Sequence, residues 1–202
     1  SYGPCVAVAG EPYWGTLAVG PDGELYIAGA GWDGIQVSRS NNAKDPLVTT
    51  SWEMNTDVYM DGQLSYGANV NPGGLLGQAS IAVDHSGTAS HGNVYVLASV
   101  ERYNGDPADV MFARSIDGGM SWSEARRINQ DISFTKTQWF GTMSIAPNGR
   151  LDAVWLDTRD APASQSRMSA LYYSWSDDQG ETWSPNQRIS ELFDPHIGWP
   201  NQ

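Results

Sequence analysis

One eight-residue turn is written twice in this chain. SIDGGMSW begins at Ser115 and SDDQGETW at Ser176, and both fit Ser-x-Asp-x-Gly-x-Ser/Thr-Trp. Their aspartates, Asp117 and Asp178, stand 61 residues apart. The spacing inside the motif is local chemistry. An aspartate in a tight turn accepts hydrogen bonds from nearby backbone N–H groups. Gly119 and Gly180 permit a left-handed backbone. Ser121 or Thr182 closes the loop with its hydroxyl, and Trp122 or Trp183 packs back onto a sheet.

The surrounding sequence repeats with the same period. GTLAVGPDGELYIAGAG from Gly15, SIAVDHSGTASHGNVYVLASV from Ser80 and SIAPNGRLDAVWLD from Ser144 align on the turn glycines Gly23, Gly87 and Gly149, spaced 64 and 62 residues apart. Within each copy, period-two alternation marks strands. Leu25 and Ile27, Val94 and Val96, and Leu151, Ala153 and Trp155 are predicted to occupy equivalent faces. Further strands are predicted at 35–39, 110–114 and 170–175, with last strands such as 123–128 and 186–190. No segment carries a sustained 3.6-residue stripe with caps.

A four-stranded unit repeated in tandem is a propeller blade. The predicted fold is therefore all-β, a propeller of four-stranded antiparallel blades, with about three blades per chain at 14–76, 77–140 and 141–202. A β-sandwich also uses short strands and remains the lesser alternative.

Composition narrows the partners. The chain has 202 residues, with 23 acidic against 11 basic side chains and a net charge of −12. Such a surface repels phosphate backbones and anionic lipid, so neither nucleic acid nor membrane is expected as a partner. No apolar run approaches membrane-spanning length. Cys5 is the sole cysteine, which leaves no internal disulfide and no thiolate cluster. His85, His91 and His196 lack metal-ligand spacing, and no metal or cofactor is expected. The N-terminus shows no signal-peptide pattern. A removed signal or a fragment both fit that, with a secreted or periplasmic setting favoured. CVAVAG, from Cys5, reads either as an outer strand of a preceding blade or as a ring-closing strand.

The two turns resemble the Asp-box repeat of sialidases and their relatives, also called the bacterial neuraminidase repeat. The resemblance covers nearly the whole chain and is sharpest from Ser80 onward, in GNVYVLASV, ARSIDGGMSW, RLDAVWLDTRD and SWSDDQGETWS. The first copy is degenerate. Ser40 and Asn42 stand where Ser115 and Asp117 do, and the second half of the motif is displaced toward Ser51 and Trp52. The resemblance implies that Ser115, Asp117, Gly119, Ser121, Trp122, Ser176, Asp178, Gly180, Thr182 and Trp183 are structural and face away from an active site.

The other rim, formed by second-to-third strand loops and blade connections, is the functional one in that family. It is predicted to hold Trp32-Asp33, Glu101-Arg102-Tyr103 and the run from Asp157 to Asp160. The connections add Tyr13-Trp14, Tyr66 with the turn from Asn71 to Gly74, Gln138-Trp139-Phe140, and Asp194 with His196. The resemblance implies an arginine cluster for a substrate carboxylate, an acid, and a tyrosine activated by a carboxylate. Arg102 and Arg159 are the candidate arginines. Tyr103 with Glu101 or Asp160 is the candidate nucleophile pair, and Asp157 completes the candidate set. The Arg-Ile-Pro motif of true sialidases is absent and no third arginine is found. Rim salt bridges are the competing reading of the same residues. Trp14 is either a sugar-stacking platform or core, and Trp139 and Phe140 are predicted to be core.

The function implied is a sialidase-like carbohydrate-active or carbohydrate-binding propeller with a glycan ligand, hydrolysis of sialic-acid-type sugars being one form of it. A non-catalytic binding scaffold and an incomplete domain are the alternatives. Three copies make only an arc of the family's six blades. Either the chain is a fragment or a homodimer completes the ring.

Overall fold

The computed structural model describes residues 5–32 and 34–198. Asp33 of the predicted rim pair, and the end of the predicted third blade beyond residue 198, lie outside the described residues.

Three antiparallel sheets follow one another along the chain. The first has β1 (Tyr13–Val19), β2 (Leu25–Gly31), β3 (Gly34–Ser40) and β4 (Met54–Val58) in sequence order. In the second, β7 (Val94–Arg102) pairs with β8 (Asp109–Ser115), which pairs with β9 (Arg126–Arg127). Its inner strand is divided. β6 (Ser80–Val83) pairs with the first half of β7, while β5 (Gly62–Gln63) pairs with its end at Glu101 and Arg102. The third sheet runs β10 (Gln138–Ile145), β11 (Leu151–Asp157), β12 (Ala170–Ser176) and β13 (Gln187–Arg188). The outermost strands β9 and β13 are shorter than the alternation predicts.

Alternation determines which sheet each side chain meets. Val94, Val96, Ala98 and Val100 of β7 join a core with Tyr26, Ala28 and Ile35 of the first sheet. Tyr95 and Leu97 join a second core with Leu151, Ala153, Trp155 and Tyr172 of the third. β7 is therefore buried on both faces, which accounts for its nearly unbroken apolar sequence. Leu25 and Ile27 occupy the equivalent face of the first sheet, where no preceding sheet covers them, and they are half-buried. Leu17 and Val19, their partners on β1, are 63% and 51% exposed. At the other end Val154, Leu156, Leu171, Tyr173 and Trp175 are half-buried on the far side of the third sheet.

CVAVAG forms no strand. The segment leading to β1 lies against the outer side of the first sheet, where Ser38 Oγ donates to Ala9 O at 2.6 Å. Polar Ser38 and Asn55 face it there, so no apolar ladder is offered.

The inner strands meet around the axis. Gly15 bridges Ala79, Ala79 N donates to Trp14 O, and Phe140 N donates to Leu76 O, each N–H···O at 2.9 Å. β1 and β10 are bulged at matching places, with Trp14 at φ 51° and Phe140 at φ 54°. A Cβ on Gly15 would stand 1.6 Å from Ala28 O, so only glycine fits that approach. The bulge turns Phe140 outward and leaves it exposed, whereas Trp139 is buried. The core expectation thus holds for Trp139 and is corrected for Phe140.

The two repeated turns are nearly superimposable in their bonding. Ser115 Oγ donates to Asp117 Oδ1 at 2.7 Å, and Gly119 N donates to Ser115 Oγ at 2.8 Å. Ser121 donates through its N (2.9 Å) and Oγ (2.5 Å) to the same carboxylate. Ser176, Asp178, Gly180 and Thr182 repeat this pattern. In the degenerate first copy, Asn42 accepts from Ser40 Oγ at 3.1 Å and Ser51 N at 2.8 Å. Each of the two intact turns also reaches the sheet before it. Arg39 Nη1 donates to Gly118 O, and Arg114 Nη1 to Gln179 O. Trp122 Nε1 donates to Thr56 Oγ1 at 3.1 Å.

Candidate functional site

Strand direction places the repeated turns, with His85 and His91, on one rim. The opposite rim collects the loops after β2, β7 and β11 and the connections between sheets. There a cavity of about 720 Å³ opens between the second and third sheets. Val70, Leu76, Ala108 and Trp139 form a small buried apolar cluster beside it, and Val70 and Leu76 also line it.

The connection from β5 to β6 presents Tyr66. Gly67 N and Ala68 N both donate to Gly74 O, Leu76 N donates to Ser65 O, and Gly73 N is held by Asn71 Oδ1. The Asn-Pro-Gly-Gly turn thereby folds this segment into a hairpin that raises Tyr66 to the cavity. Its ring stacks on Trp14 with centroids 6.2 Å apart, and it stays 70% exposed. Trp14, predicted as either platform or core, is half-buried beneath it.

Charged groups line the same cavity. Glu101 is exposed at the cavity wall and makes no ion pair among the described residues. Lys136 Nζ donates to Ala161 O at 2.8 Å. Arg167 grips Asp194 with two bonds of 3.0 and 2.8 Å. Together with the backbone N–H of His196, this holds the Asp194 carboxyl down at about 2.

The sequence-predicted residues separate into different environments. Arg102 is ion-paired on both sides, to Asp61 Oδ2 at 2.5 Å and to the buried Asp109. Arg159 grips Asp157 through Nε and Nη2 at 2.9 and 2.6 Å. Asp157 is fully buried and also accepts from Trp155 Nε1 and Gln138 Nε2. Tyr103 pairs with Tyr59 at 6.3 Å, beside the first sheet, while Glu101 faces the cavity beside the third. No hydrogen bond joins Tyr103 to Glu101 or Asp160 among the described residues. Asp160 instead accepts from Tyr172 at 2.7 Å. Burial and then that bond push the Tyr172 hydroxyl up, the opposite of an activated nucleophile. Trp32 is almost fully exposed on the same rim.

Sequence reasoning missed a buried polar network next to these groups. Asn129 Nδ2 lies within hydrogen-bonding distance of Asp109 Oδ1, Asp131 Oδ1 and Gln138 Oε1, and shares its two N–H donors among them. Asp106 is 2% exposed, and neither its Oδ2 nor Asp131 Oδ2 has a hydrogen-bond partner among the described residues. Burial, followed by the charges of Asp109 and Asp131, lifts Asp106 to about 6. The run NGDP announces a turn, but nothing local announces that its carboxylate is buried near Asp109 and Asp131. Among the described residues no group of three or more acidic, histidine or cysteine side chains is arranged to hold a metal ion.

No protein-family profile matches this sequence, and no curated protein matches it at a significant level. Solved structures match in fold. A Hadza microbial sialidase aligns at TM-score 0.55 and 20% identity over 86% of this chain and 37% of its own. An α-L-arabinofuranosidase from Fusarium graminearum aligns at 0.58 and 15%, over 88% and 48%. A Penicillium chrysogenum α-L-arabinanase aligns at 0.56 and 15%, over 88% and 49%. At these identities the likeness establishes the fold: the chain is a β-propeller of four-stranded antiparallel blades. It spans half or less of the length of each of these neighbours.

Proposed function

We propose that this chain belongs to a carbohydrate-active propeller and that the rim around Tyr66 holds a glycan. One observation carries the reading: an exposed tyrosine, stacked on Trp14, stands at a cavity of about 720 Å³ together with Glu101, Lys136 and Thr158. Aromatic faces beside hydrogen-bonding side chains suit the apolar faces and hydroxyls of sugars. The structural neighbours support the reading, since a sialidase, an α-L-arabinofuranosidase and an α-L-arabinanase share the fold. Fold by itself does not carry function, so the site bears the argument.

Within this reading the Ser-x-Asp-x-Gly-x-Ser/Thr-Trp turns are Asp boxes with a structural role. A second copy of the chain is the proposed partner that completes the ring.

Titration of the purified chain against arabino-oligosaccharides and sialyl-oligosaccharides tests the proposal. Tyr66→Ala is expected to weaken glycan binding at least about tenfold, equivalent to about 1.4 kcal/mol, while circular dichroism stays unchanged. Undiminished binding in Tyr66→Ala would move the site elsewhere. A fluorogenic glycoside assay separates hydrolysis from binding alone.

A further inference from the structure

The arginines of this rim are already spent. Among the described residues, Arg102, Arg127, Arg159, Arg167 and Arg188 are each ion-paired to a carboxylate of the same chain, and Arg167 of these lines the cavity. Arg102 holds Asp61 and Asp109, and Arg127 also reaches Asp109. Arg159 holds Asp157, Arg167 holds Asp194, and Arg188 holds Asp160 and Glu191. The other cation at the cavity, Lys136, is turned to the carbonyl of Ala161.

A ligand carboxylate is recognised best by a guanidinium that offers two parallel donors. To obtain one here, the ligand must displace an internal carboxylate and leave it unpaired. For Arg102 or Arg159 the orphaned group, Asp109 or Asp157, is buried, and an uncompensated buried charge is strongly unfavourable. Glu101 meanwhile stands in the cavity as an acceptor without an ion-pair partner among the described residues, in a chain of net charge −12. A carboxylate repels an acidic sugar and accepts hydrogen bonds from the hydroxyls of a neutral one.

We infer that the ligand of this rim is an uncharged oligosaccharide, stacked on Tyr66 and bound through its hydroxyls, and not a sugar acid. The inference rests on the reading that the rim binds glycans. It assigns Arg102, Arg159 and Arg167 to holding loops and Glu101 to receiving hydroxyls.

The test is an array of neutral and carboxylate-bearing oligosaccharides probed with the chain, followed by titration of pairs that differ only in the acidic sugar. The neutral member is expected to bind about tenfold more tightly or better. Tighter binding of the acidic member overturns the inference and leaves the glycan reading standing. Binding of neither kind overturns the glycan reading, and the inference with it. Asp194→Asn releases Arg167 beside the cavity and is expected to narrow the neutral-over-acidic ratio severalfold. An unchanged ratio would show that the ion pairs do not set the charge preference.

Discussion

Trp183 meets Phe112 edge to face across the boundary between the second and third sheets, with ring centroids 5.4 Å apart at 76°. The tryptophan ends one repeated turn and the phenylalanine belongs to the preceding blade. The turn around Asp178 thus locks two sheets together as well as closing its own hairpin.

Replacing Asp178 with alanine removes the acceptor for Ser176 Oγ, Thr182 N and Thr182 Oγ1. The expected loss is on the order of 2–4 kcal/mol in urea unfolding. Asp178→Asn, which keeps one acceptor oxygen, should lose less. Glycan binding by the folded fraction should be unaffected, because the turn lies on the other rim.

Acid should weaken the same device. Burial pushes the Asp117 carboxyl up, but hydrogen bonds from Ser121, Ser115 and Met120 outweigh it and hold the group at about 2, below its ordinary 3.8. A depressed carboxyl favours folding fully above its unfolded value, and that contribution fades as pH falls from about 4 through about 2. The urea midpoint of the wild type is expected to drop across this window more steeply than that of Asp117→Asn. Equal slopes would deny the turn its role.

Asp106 has the opposite sign. Its folded value of about 6 lies above the ordinary 3.8, so the native state holds the proton more tightly than the unfolded chain does. Its contribution to stability therefore declines as pH rises from about 4 to about 6 and stays unfavourable above. Asp106→Asn should raise stability at pH 7 by on the order of 2 kcal/mol and flatten that part of the profile. Thermal melts between pH 4 and pH 8 report it.

Among the described residues, Arg102→Ala leaves the buried Asp109 with only Arg127, at 3.5 Å, and Asn129 for compensation. The expected cost is about 3–5 kcal/mol. Adding Asp109→Asn should recover part of it, and a double-mutant cycle measures the coupling. Simple additivity would contradict the ion pair.

The uncovered sides of the first and third sheets should make the chain self-associate. Light scattering is expected to give a mass above 21.9 kDa, and Leu17→Glu should lower it. A monodisperse monomer would overturn the proposed homodimer.

The blades were legible because their signals are local. Alternation in LDAVWLD and the turn chemistry of SIDGGMSW need no distant partner to be recognised. The phase of the repeat even anticipated that Leu25, Val94 and Leu151 occupy equivalent faces. The site was less legible because its properties arise from meetings between copies. The Asp157–Arg159 salt bridge, two residues apart, was one of the two readings the sequence offered, but the approach of Asp131 from another loop was not. Phe140 read as core because it stands at the start of an inner strand, and only the bulge at φ 54° turns it out. Tyr66 was placed on the rim it occupies, but its stacking on Trp14 depends on a hairpin from another sheet.

The bonds from Arg39 to Gly118 O and from Arg114 to Gln179 O each run from one sheet to the turn of the next. The unit that repeats in sequence is therefore offset from the unit that becomes rigid. Each blade is finished by its successor, so neighbours are coupled in one direction around the ring. Excising a single sequence repeat would cut through a mechanical joint instead of between two parts, and a graft that respects the joints must carry the following turn with it.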